Sequence, residues 1–87
     1  MTGARIHVEI GKAFRKQGTL EHRSIKVTRG SKEYSAVMYV RVVNGAAVYT
    51  LDECSEEHLH IICDAIEAKG GDKWLAAEME RPKERST

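Results

Sequence analysis

Both cysteines of the chain and two of its four histidines fall within one ten-residue stretch, "CSEEHLHIIC" (Cys54–Cys63). Cysteine and histidine at close spacing raise the question of a metal ion or an activated thiol. Zinc needs four ligands that converge tetrahedrally, with thiolate bonds of about 2.3 Å. On a helix, Cys54 and His58 project one way, while His60 and Cys63 project toward the opposite side. Four ligands divided in this way cannot meet at one ion, and the C-x3-H-x-H-x2-C spacing is not a zinc-finger pattern. A thiol nucleophile needs a base and an electropositive setting. Cys54 has His58 as a neighbour four residues on, but Asp52, Glu53, Glu56 and Glu57 surround it, and carboxylates raise a thiol's pKa. Glu56-Glu57 reads as charge favoured by a helix N-terminus rather than as a catalytic pair. Gly70-Gly71 reads as a helix stop and "VNGAA" as a turn, so neither is a phosphate loop. The sequence therefore predicts no metal site, no cofactor and no catalytic residue.

The elements that carry this stretch follow from periodicity. The chain has 87 residues, which suits a single domain, expected over residues 1–82, with 83–87 as a flexible tail. Hydrophobic residues make up 41% and charged residues 31%, an ordinary globular balance. No basic region followed by an apolar run opens the sequence. Its densest apolar stretch, Ala36–Val43, is too short for a membrane span and is interrupted by Arg41. Two cysteines nine residues apart do not make a disulfide framework, so a reduced, cytoplasmic protein is expected.

Up to Leu51 the apolar residues alternate with period two. Asn44-Gly45 suits a two-residue hairpin turn. It sets Val42 against Ala47, Val40 against Tyr49 and Met38 against Leu51. A turn at Gly30-Ser31 sets Val27 against Tyr34 and Ile25 against Ala36. A third, at Gln17-Gly18, sets Ile10 against Ile25 and Glu9 against Lys26. Near that third turn the phase slips: Leu20 faces Arg15 and Phe14 faces Glu21. A bulge around Gly11 or His22-Arg23 would restore it.

Beyond Leu51 the period becomes helical. Asp52 or Ser55 serves as N-cap, Leu59, Ile62, Cys63 and Ile66 form the stripe facing the sheet, and Ile61, Ala65 and Ala68 widen it. Asp72 then caps a short second helix that Pro82 ends. Its Trp74, Leu75 and Met79 would cover Ile61 and Ala65, within one chain or across a dimer. The prediction is an α+β fold: a four-stranded antiparallel meander, one long helix packed on it and a short C-terminal helix.

The resulting core face carries Ile6, Val8, Ile10, Ile25, Val27, Tyr34, Ala36, Met38, Val40, Val42, Ala47, Tyr49 and Leu51. The opposite face shows His7, Glu9, Ser24, Lys26, Thr28, Ser35, Val37, Tyr39, Arg41, Val43, Ala46, Val48 and Thr50. On it Val37, Tyr39, Val43 and Val48 cluster within a rim of Lys26, Arg41 and His7, the composition of an interaction patch. Charge is unevenly shared. Residues 1–51 hold nine Lys/Arg against three acids, and residues 52–87 hold five against ten.

Four strands leading into a helix are similar in order to the single-stranded-DNA-binding domain of the positive-cofactor-four coactivators. "TLDECSEEHLHIICDAI" (Thr50–Ile66) resembles that family's strand-into-helix transition in the spacing of Leu51, Leu59 and Ile66. The resemblance covers those apolar positions only, and the second helix departs from the family. It implies single-stranded nucleic-acid binding and a helix-mediated dimer.

The favoured expectation is a small non-enzymatic module that binds a protein partner as an inhibitor or adaptor, a mode common among small proteins of phages and mobile elements. Val37, Tyr39, Arg41, Val48 and Lys26 would make contact from the sheet, and Glu56, Glu57 and Asp64 from the acidic helix. The alternative is a single-stranded nucleic-acid binder using Arg23, Lys26, Arg29, Tyr39 and Arg41. Chemistry at Cys54 and His58 is a remote third. A homodimer through the helices is compatible with each.

Overall fold

The computed structural model describes residues 5–80. Strands β1 (Ile6–Gln17), β2 (Leu20–Arg29), β3 (Lys32–Val43) and β4 (Ala46–Asp52) form one antiparallel sheet in the order β1-β2-β3-β4. Helices α1 (Glu56–Lys69) and α2 (Gly71–Glu80) follow and pack on one of its faces.

The β3–β4 hairpin follows its turn chemistry. Asn44 and Gly45 have φ of 54° and 79°, the pair of positive angles that a type I′ turn requires. Val43 then faces Ala46, and the register runs without a shift to Val37 opposite Asp52. β2 and β3 are equally regular, with Ile25 opposite Ala36 and Val27 opposite Tyr34.

This register sends alternate residues under the helices, where apolar burial holds the layers together. Ile25, Val27, Ala36, Met38, Val40 and Ala47 are buried there, and Ile6, Val8, Ile10, Tyr34, Val42, Tyr49 and Leu51 pack partly buried against them. All thirteen positions expected on the core face are on it. α1 contributes Ile62, Ala65 and Ile66, and α2 contributes Leu75 and Ala76.

Ser55, not Asp52, caps α1: its Oγ accepts the His58 N–H at 3.2 Å, satisfying one of the free donors of the first turn. At the other end the Gly70 N–H donates to the Glu67 carbonyl at 3.2 Å. α2 begins at Gly71, so Asp72 sits inside its first turn and is not the cap. Ala68 is exposed, so the apolar arc of α1 is narrower than its sequence suggests. α2 lies against β4 and α1 of its own chain, and its Trp74, Leu75 and Met79 belong to or pack against the same core cluster as Ala65. Pro82 and residues 83–87 fall outside the described residues.

The β1–β2 hairpin carries the irregularity expected around Gly11 and departs from expectation in its turn and in a second shift. Its turn is Gly18-Thr19, not Gln17-Gly18, and the register shifts twice, between Ile10 and Ala13 and between Ala13 and Arg15. Gly11 and Lys12 together oppose Ser24 alone, and Phe14 is a further extra residue. The pairs expected from the unshifted register therefore do not form: Arg15 faces His22, and Lys16 faces Glu21. Gly11 sits at the first shift, close against Ser24. A Cβ there would lie 2.6 Å from the Ser24 Oγ.

Candidate functional site

The two shifts bring Phe14 and Arg15 beside His22 and Tyr39 on the sheet face away from the helices. His22 pairs with Arg15 on one side and Tyr39 on the other, and Tyr39 pairs with Thr50, so this row crosses all four strands. The His22 and Tyr39 rings stack at 4.4 Å with 17° between their planes. Phe14 meets His22 edge-on at 6.2 Å and 90°. Both geometries are favourable for aromatic pairs. Phe14 remains 62% exposed, a large apolar side chain in water.

An open hollow of ≈ 370 Å³ lies among Phe14, Arg15, His22, Val37, Tyr39 and Glu53. His22 Nε2 is buried and has no hydrogen-bond partner among the described residues, which is costly for a polar atom. The Tyr39 hydroxyl donates to Asp52 Oδ2 at 3.4 Å. Its phenol is held above the ordinary pKa by desolvation and by the carboxylates of Asp52 and Glu53, with Arg15 opposing them.

Farther along the face, Arg41 is exposed opposite Val48, and Val48 and Val43 are 52% and 44% exposed. Lys26 stands opposite Glu9, its Nζ 3.9 Å from Glu9 Oε1. The strand pairing places Arg15, Lys26 and Arg41 on this face, and also Glu9, Glu33 and Asp52. Among the residues with a strand partner, three cations meet three carboxylates; Lys12 in the bulge opposite Ser24 and Glu53 at the hollow add one of each sign. The positive excess of the first half of the sequence is thus not displayed here.

Part of that excess is spent on the helix side. Arg23 pairs with Met38, inside the core register, and its side chain is only 11% exposed. Its Nε donates to Glu21 Oε1 at 2.8 Å and its Nη1 to the Gly11 carbonyl at 3.0 Å. Arg29, opposite Ile6 and Lys32, is exposed but lies in the same inward alternation at the sheet's end. Of the residues expected to hold nucleic acid, only Lys26, Tyr39 and Arg41 lie on the open face.

The expected protein-contact residues divide similarly. Val37, Tyr39, Arg41, Val48 and Lys26 lie together on the open sheet face. Glu56, Glu57 and Asp64 are exposed on α1, on the other side of the sheet, where Glu56 sits 3.9 Å from His60. The two sets form separate surfaces.

Phe14, Arg15 and His22 were not singled out by sequence. His22 was accessible to it, because the Gly30-Ser31 turn already pairs His22 with Tyr39. Phe14 and Arg15 were not, because their placement depends on both register shifts.

The cysteine–histidine stretch is not laid out on one helix as expected, and Cys54 comes near enough to Cys63 to interact with it. Cys54 precedes the cap and lies outside the helix, partly buried against the core. The His58 ring turns edge-on to Tyr34 at 5.0 Å. Burial first, then the Asp52 carboxylate and Cys63, pushes the Cys54 thiol up; the expected effect of nearby acids is present, but burial is the larger cause. Cys54 and Cys63 are free thiols. Among the described residues no group of three or more His, Cys, Asp or Glu is placed to hold a metal ion, and no helix is long and apolar enough to cross a membrane.

Comparison of the chain with family models, with curated proteins and with solved structures finds no match.

Proposed function

We propose that this chain is a small non-enzymatic binding module that engages a protein partner through its open sheet face, as an inhibitor or adaptor. One observation carries the reading: an exposed aromatic and apolar patch on a face whose charges balance. Phe14, His22 and Tyr39 supply a rigid centre, Val37 and Val48 flank it, and Arg41, Lys26 and Glu9 form a polar rim, the distribution typical of protein interfaces.

Stacked aromatics also suit single-stranded nucleic acid. Such binding needs a net positive groove to neutralise phosphates, and its affinity falls steeply with salt. Arg15, Lys26 and Arg41 are offset by Glu9, Glu33 and Asp52, so the face lacks that excess. The protein partner is the better fit.

Capture from native-host extract with the wild type and with Tyr39→Ala/Arg41→Glu tests this. The expected result is a protein retained by the wild type through moderate salt and lost from the double variant. Capture of the same proteins by both would remove the sheet face as the site. Binding of an oligonucleotide that collapses as salt rises would replace the protein partner with nucleic acid.

A further inference from the structure

The sheet has two edges, and they differ in how they are guarded. β1 carries two register shifts and the cations Lys12, Arg15 and Lys16. Bulges and positive charge are the usual means of keeping another strand off an edge. β4, "AAVYTLD", has no Lys, Arg or Pro and no register shift.

The type I′ turn fixes which backbone groups of β4 are free. Val43 and Ala46 flank it and exchange hydrogen bonds, so by alternation Ala46, Val48, Thr50 and Asp52 bond to β3. The N–H and C=O groups of Ala47, Tyr49 and Leu51 point away from the sheet. Among the described residues β4 has β3 as its only strand neighbour. Beside the same edge an open apolar groove of ≈ 550 Å³ is lined by Tyr49, Thr50, Leu51, Leu59 and Cys63.

We propose that β4 is a dimer seam, pairing antiparallel with β4 of a second copy of this chain about a two-fold axis at Tyr49. The sequence of the strand is complementary to itself in this register. Ala47 faces Leu51 of the second copy, and Val48 faces Thr50. Asp52, the strand's one charged residue, faces Ala46, so no like charges meet within the strand ladder. Ala47, Tyr49 and Leu51 present the free backbone groups that such pairing consumes. The two grooves adjoin across the axis, bringing apolar linings together, and the two sheets become one of eight strands. The open face of each sheet stays available, so the seam does not depend on the partner reading above.

The full wild-type chain is examined by sedimentation equilibrium, with amide exchange measured at Ala47, Tyr49 and Leu51. The expected result is twice the chain mass and exchange at these three amides slowed about 100-fold relative to a monomeric variant, as for amides in closed ladders. Val48→Lys/Thr50→Lys sets like charges opposite each other across the axis at exposed positions, and the chain should become monomeric. Val48→Lys/Thr50→Glu sets opposite charges there and should restore the dimer, with circular dichroism confirming that both variants fold. A wild type that stays monomeric up to its solubility limit overturns the proposal. So does a dimer whose three amides exchange as open ones, which would place the interface on the helices. A folded Val48→Lys/Thr50→Lys variant that remains dimeric overturns it as well.

Discussion

The first and last of the sheet's three hairpins have similar raw material and different outcomes. β3–β4 turns on Asn44-Gly45 and keeps one register from end to end. β1–β2 turns on Gly18-Thr19 and slips twice within a few residues. The regular hairpin supplies the centre of the core, with Met38 and Val40 fully buried. The irregular one supplies the exposed side of the aromatic cluster, Phe14 and Arg15. Stability is concentrated where local preferences agree, and the candidate site lies where they conflict, a division expected of folded proteins that also bind.

The comparison breaks most readily in the core. Met38→Ala removes a fully buried side chain from β3, and the expected loss is about 2–5 kcal/mol in chemical denaturation. Next is the charged lock of β1–β2. Glu21→Gln weakens the partner of the nearly buried Arg23 guanidinium and should cost about 1–3 kcal/mol by the same measurement. Gly11→Ala brings a methyl against the Ser24 hydroxyl, which can rotate away. A loss of about 1 kcal/mol or less is expected, and Ser24→Ala should cancel most of it in a double-mutant cycle.

A pH effect sharpens the contrast from the other hairpin. Burial, the hydrogen bond with Cys63 and the nearby acids Glu67 and Asp72 hold the Tyr49 phenol well above its ordinary 10.0. As pH rises past that value, the unfolded chain releases this proton while the folded chain keeps it, so stability falls. Thermal melts between pH 9 and pH 11, taken as roughly bracketing the ordinary tyrosine range, should show the decline, and Tyr49→Phe should make it shallower, leaving the part due to Tyr39 and Cys54. The smallest effect on stability belongs to the cluster. Phe14→Ala should stay within about 0.5 kcal/mol of the wild type while weakening partner capture.

Most of the fold was legible because turn chemistry and alternation agreed. Asn44-Gly45 and Gly30-Ser31 each fixed a register that buried every apolar residue of one phase, and a one-residue error would have exposed them all. The helix stripe at Ile62 and Ile66 was equally plain. Less of the site was readable. Val37, Tyr39, Arg41, Val48 and Lys26 follow from the same alternation. Phe14 and Arg15 do not, because nothing local marks two extra residues in β1: Gly11 hints at one, and Phe14 looks like a core residue displaced. Arg23 read as a nucleic-acid contact, although Glu21 two residues before it shares its strand face; the Gly11 carbonyl that also holds it belongs to the bulge in β1. Ala68 and Asp72 were misplaced for a simpler reason: where α1 stops and α2 starts is decided by the Gly70 cap and the docking of α2 on β4.

The central claim is that the double shift in β1 carries Phe14 to the open face beside His22 and Tyr39. Nuclear Overhauser contacts between aromatic rings in the folded chain test it most directly. The structure predicts cross-peaks from Phe14 to His22 and from His22 to Tyr39. Cross-peaks linking Phe14 to side chains beneath the helices, with none to His22, would contradict it.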